Sequence, residues 1–149
     1  MSSCVLRFIF TLVVLPLSVF SPAFACGKDA PEVTIVYWSA KDCTWCTYWE
    51  SGFSGMKNNF EQSPEFKQVN FYVVKRARID TPPSVADYPH ELAWLRERIE
   101  KSTQPFKLGV PAWGVYIDKK KVAGYWGTQT WNDKIFPEIR RIVSDTCPS

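Results

Sequence analysis

Hydrophobic and polar positions along the chain follow two periods. Val33-Thr34-Ile35-Val36-Tyr37-Trp38 is an almost unbroken β-branched and aromatic run between Pro31 and a polar turn, the pattern of a short buried strand. From Cys43 to Phe60 the apolar residues Cys46, Trp49, Phe53, Met56 and Phe60 recur every three or four positions, which predicts a helix with these side chains inward. Ser51-Gly52-Phe53-Ser54-Gly55 weakens that helix, since each glycine costs about 1 kcal/mol against alanine, and a bend or break is expected there. Ser63-Pro64-Glu65 reads as a new helical start with Ser63 as its cap.

Val69 to Val74 is a second strand, followed by a loop at 80–88 whose prolines exclude regular pairing. Pro89 to Ser102 places Leu92, Leu95 and Ile99 on one helical stripe, with Glu and Arg opposite. After Gly109-Val110-Pro111 come the strand Ala112 to Ile117, a polar turn at 118–121 and the strand Val122 to Trp126 ending at Gly127, a β-hairpin. Thr130 to Cys147 carries Trp131, Ile135, Ile139, Ile142 and Val143 in helical register, with Pro137 predicting a kink or a late start. The order is β-α-β-α-β-β-α, an α/β domain whose hairpin closes a mixed sheet flanked by helices.

The first 25 residues stand outside this scheme. Arg7, an apolar stretch from Phe8 to Phe20 interrupted by Pro16, and Ala23-Phe24-Ala25 have the composition of a secretory signal cleaved after Ala25. Residues 26–149 then make one domain, periplasmic or secreted, in a setting where disulfides persist. The net charge of +3 is mild and argues against nucleic acid as a partner. Lys119-Lys120-Lys121 reads as a solvated hairpin tip, and His90, at an exposed helix start, as surface.

Cys4 leaves with the signal; Cys26, Cys43, Cys46 and Cys147 remain. Cys43-Thr44-Trp45-Cys46 sits where the first strand turns into a helix, a geometry in which two cysteines two residues apart can close a small ring. Unpaired N–H groups of a first helical turn favour a thiolate at Cys43, the species that attacks disulfides, while Asp42 beside it works the other way. Cys43 is expected at the surface, open to solvent, with Cys46 one turn deeper as the resolving thiol. Competing readings are half of a zinc site, for which the chain offers no second close cysteine pair and one histidine, and an inert staple. No metal and no cofactor is called for. Cys26, first after the cleavage point, is either a lipid attachment site or half of a second disulfide.

The Cys-x-x-Cys after the first strand, Gly109-Val110-Pro111 opening the hairpin, and Gly127 after it, in this order, resemble the thioredoxin superfamily from about Val33 to Cys147. The resemblance implies a thioredoxin-like fold, catalytic Cys43 and Cys46, and a cis Pro111 lying against them. It also implies that the Val110 backbone pairs with an extended substrate segment, an edge on which any partner can add as a strand. Tyr37 stands where that family carries a buried carboxylate, and Thr44-Trp45 replaces Gly-Pro between the cysteines. In such a fold the start of the first strand and the end of the last helix share a pole, so Cys26 and Cys147 are expected to pair, adding roughly 4 to 5 kcal/mol by loop closure.

The tryptophans divide: Trp38, Trp49, Trp94 and Trp131 fall on core faces, whereas Trp45, with Trp113 or Trp126, forms an apolar surface around Cys43 for docking partners. The functional expectation is an exported thiol:disulfide oxidoreductase acting on protein thiols and disulfides, of reductase or isomerase type, recycled by a membrane or soluble redox partner. The alternative is a non-enzymatic docking module of an envelope, secretion or conjugation assembly, with the loop at 80–88 and the aromatic surplus as its binding surface.

Overall fold

The computed structural model describes residues 30–102 and 109–147; the expected signal segment and Cys26 lie outside the described residues. The first strand, β1 (Val33–Ala40), is buried along its whole length, which fits its position in the interior of a four-stranded sheet ordered β2-β1-β3-β4. It pairs in parallel with β2 (Asn70–Arg76) and antiparallel with β3 (Ala112–Ile117), and β3 pairs antiparallel with β4 (Lys120–Trp126).

Alternation along β1 sends its side chains into two separate cores. Val33, Ile35 and Tyr37 face Trp49 of α1 (Thr44–Glu50), Phe60 of α2 (Met56–Glu61), and Ile139 and Val143 of α4 (Phe136–Thr146). Val36 and Trp38 face Leu95 of α3 (Ala93–Glu100) together with Leu92 and Tyr116. The result is a mixed sheet with helices on both faces, the architecture expected from the element order.

Several boundaries depart from the periodicity. The helix beginning after Cys43 breaks at Ser51, which is extended (ψ 146°), and resumes at Met56 after Gly55, whose φ of +66° favours glycine. Phe53, expected inward, is 93% exposed, because it lies in the turn between the two helices and escapes their register. The segment after Ser63 forms only a short 3-10 turn at Glu65–Gln68, with Ser63 Oγ accepting the Phe66 N–H at 3.2 Å. The hairpin turn is tighter than expected: Asp118 (φ 46°) and Lys119 (φ 65°) alone make it, a two-residue turn of the type that matches strand twist, and Lys120 and Lys121 belong to β4. A π turn at Trp131–Ile135 precedes α4, so Pro137 marks a late start of the final α-helix.

Trp38, Trp49 and Trp131 are buried and Trp94 is partly so. Trp113, proposed above as surface, is 1% exposed and stacks on Tyr37 with ring centroids 5.3 Å apart. Its position in β3, opposite Tyr37 in the register, points it into the core with the odd-numbered positions of β1. No described helix is long and apolar enough to cross a membrane.

Candidate active site

The end of β1, the start of α1 and the start of β3 meet at the two cysteines. Cys43 caps α1 in an extended conformation (φ −93°, ψ 105°), and its Sγ accepts the Cys46 N–H at 3.1 Å. The two residues are joined by a disulfide with their Cα atoms 5.2 Å apart, inside the range that needs no backbone movement. Ala40 and Val110 pack against the pair. The Val110–Pro111 peptide bond is cis, and the Pro111 carbonyl accepts the Gly127 N–H at 3.0 Å, where Gly127 has φ +74°. Thus Cys43, Cys46 and Val110 are brought into contact, and Pro111 and Gly127 are tied to each other at the adjoining end of the hairpin.

One expectation about exposure is overturned. Cys43, expected open to solvent, is 2% exposed, and Cys46 is fully buried. With the ring closed, both sulfurs turn into the small cluster with Ala40 and Val110. Cys43 still borders an open depression of about 490 Å³, lined also by Lys41, Asp42, Thr44, Thr47, Tyr48 and Ser51. Thr44 and Trp45 are exposed as expected of residues between the cysteines, and the Trp45 ring meets Tyr48 edge-on at 6.0 Å. Trp126 is also exposed.

Sequence reasoning missed the polar group at the end of α1. Glu50 lies four residues after Cys46, on the same face of α1. Its Oε1 accepts Ser39 Oγ at 2.8 Å and Tyr37 Oη at 3.2 Å, and its Oε2 pairs with Lys75 Nζ at 2.6 Å. Ser39 and Lys75 are direct neighbours in the parallel β1–β2 register, which is why both reach one carboxylate. Burial alone pushes the Glu50 carboxyl up, but Lys75, Ser39 and Tyr37 outweigh it and hold the group below the ordinary 4.5. Burial pushes the Tyr37 hydroxyl far up, so it serves as a hydrogen-bond donor and not as an acid. The i,i+4 spacing of Cys46 and Glu50 was legible; the partnership with Lys75 needed the sheet.

Cys147, buried at the end of α4, is disulfide-bonded, while the pairing expected with Cys26 falls on a residue outside the described ones. Among the described residues no group of three or more His, Cys, Asp or Glu stands together in a way that suits a metal ion.

No protein-family model matches the chain, and no curated protein matches it. Solved structures are similar to it. The periplasmic thioredoxin SoxS from Paracoccus pantotrophus, in its reduced form, matches over 76% of this chain and 97% of its own, at 12% identity and a TM-score of 0.49. The oxidised thioredoxin from Plasmodium falciparum matches over 75% of this chain and 82% of its own, at 15% identity and a TM-score of 0.45. For the thioredoxin from Fasciola hepatica the shares are 75% and 82%, the identity 17% and the TM-score 0.41. The sheet order β2-β1-β3-β4 with helices on both faces is itself thioredoxin-like, and the chemistry of the site rests on this chain's own residues.

Proposed function

We propose that the protein is an exported thiol:disulfide oxidoreductase that exchanges disulfides with protein substrates through Cys43 and Cys46. The observation that carries this reading is the closed Cys43–Cys46 ring at the start of α1, packed against the residue before a cis proline and bordering an open depression.

In the reducing direction, the Cys43 thiolate attacks one sulfur of the substrate disulfide; the S–S bond breaks, a Cys43–substrate disulfide forms, and the leaving substrate sulfur takes up a proton. Cys46 then loses its proton, attacks Cys43 Sγ and releases the second substrate sulfur, which takes up a proton. The substrate gains two electrons and two protons, and the ring closes; one proton balances that lost by Cys46 and the other comes from solvent. A dithiol on a membrane or soluble redox partner supplies two electrons to reopen it. The Cys46 N–H that now contacts Cys43 Sγ is in place to stabilise the thiolate. Val110 and Pro111 hold the substrate backbone, with Thr44 and Trp45 at the rim. Reductase or isomerase work is favoured over oxidase work, since Asp42 precedes Cys43 and no histidine separates the cysteines.

Cys43→Ser is expected to abolish turnover of protein disulfides, and Cys46→Ser to accumulate mixed disulfides visible on a non-reducing gel. Undiminished turnover by the Cys43 variant would overturn the assignment. The second reading, a docking module with an inert disulfide, draws on the exposed Phe53, Trp45 and Trp126. A measured reduction potential separates them: an inert staple resists reduction below about −300 mV, and a working centre lies between about −120 and −270 mV. Cys26 and Cys147 complete the proposal as a structural disulfide, with lipid attachment as the competing fate of Cys26.

A further inference from the structure

Asp42 immediately precedes Cys43, and a carboxylate there disfavours a second negative charge on its neighbour. Its contacts suggest a different task. Asp42 Oδ1 accepts the Ile79 N–H at 2.8 Å, and Arg76 Nη2 donates to the Ile79 carbonyl at 2.7 Å. Both backbone polar groups of Ile79 are therefore gripped, one by the residue beside Cys43 and the other by the last residue of β2. Lys41 continues the join, its N–H donating to the Arg76 carbonyl at 3.0 Å. Residues 77–80 leave the sheet without strand pairing of their own, so these bonds are what fix them against the turn before Cys43.

Charge is matched around the join. Burial works against the charge on Arg76, and Asp42 and Asp80 oppose that effect; Asp80, then Asp42, favour the charged form of Arg78. The join also sets where one apolar side chain stands. Ile79 is 47% exposed and is held beside the turn that leads into Cys43. A half-exposed aliphatic group fixed in that place gains by covering the apolar surface of a polypeptide, and a small polar disulfide offers it little to cover.

Building on the thiol:disulfide reading above, we infer that Asp42 is a positioning residue for protein substrates: by holding the Ile79 N–H it keeps Ile79 beside the turn that leads into Cys43 as an apolar contact for a disulfide-bearing polypeptide, and so favours protein disulfides over small ones. The test compares second-order rate constants of the pre-reduced protein with insulin disulfides and with the uncharged bis(2-hydroxyethyl) disulfide, whose reaction the loss of the Asp42 charge does not steer. The ratio of the two cancels any change in the fraction of Cys43 present as thiolate. Asp42→Ala is expected to lower the insulin-to-small-disulfide ratio by about fivefold or more, Ile79→Ala to do the same, and the double variant to fall no further than either. Asp42→Asn keeps an oxygen acceptor for the Ile79 N–H and is expected to return the ratio to within about twofold of wild type. A smaller fall in Asp42→Ala, an Asn variant as low as the Ala variant, or multiplicative loss in the double variant would overturn the inference. Wild-type protein that reacts with neither reagent through Cys43 would instead remove the oxidoreductase reading on which it rests.

Discussion

Lys75 Nζ stands 2.6 Å from Glu50 Oε2, joining the edge strand β2 to the helix that Cys43 caps. The pair draws Ser39 and Tyr37 to the same carboxylate, so one half-buried charge is shared by β1, β2 and α1. That arrangement keeps Glu50 ionised on the face of α1 that carries Cys46.

The same carboxyl sets a pH dependence. Glu50 is held below the ordinary 4.5 in the fold, so its contribution to stability is fully present above that value and is lost as the pH falls through the lower folded value. Glu65 behaves alike: burial raises it, and Arg140 at 2.9 Å more than compensates. Thermal melts at pH 7 and pH 3 should show a smaller difference for Glu50→Gln than for wild type. An identical difference would mean that the Lys75 pair does not couple to folding.

Two tryptophans of the hairpin make an internal control for the core. Trp113, stacked on Tyr37 and edge-on to Trp49 at 5.4 Å, should cost about 3 to 5 kcal/mol when replaced by alanine. Trp126, 59% exposed, should cost about 0.5 kcal/mol or less by the same chemical denaturation.

Gly114 sits opposite Val36 in the sheet, and a Cβ there would come 2.8 Å from Trp38 Cζ3 and 2.9 Å from Tyr116 Cε2. Both rings are buried, so neither can swing aside freely. Gly114→Ala is expected to destabilise by about 1 to 3 kcal/mol, read as a lower urea midpoint with unchanged slope.

Non-reducing peptide mapping of the exported protein tests the outer cysteines. A single peptide pair joining Cys26 to Cys147 is expected; two free thiols, or a lipid mass on Cys26, would remove that pairing.

The Cys-x-x-Cys ring, the strand before it and the hairpin were legible in the chain, because each depends on neighbours within a few residues, whereas the place of the proline loop against the cysteines was implied only by the resemblance. Local chemistry decides a tight ring, and period-two and period-3.6 patterns decide which segments are strands and helices. Phe53 escaped the pattern because two glycines and Ser51 end the helix before its register reaches that side chain. Trp113 and Trp126 could not be told apart by type, since only the strand register says which of two hairpin tryptophans points at Tyr37.

The sequence by itself determined the order of elements and the residues able to do redox chemistry. Tertiary structure alone decided that Cys43 is shielded when the ring is closed, that Glu50 meets Lys75, and that Asp42 holds Ile79. Burial and long-range pairing are properties of surfaces meeting across the sheet, and residues 25 and 37 positions apart carry no local signal that they will share a hydrogen bond.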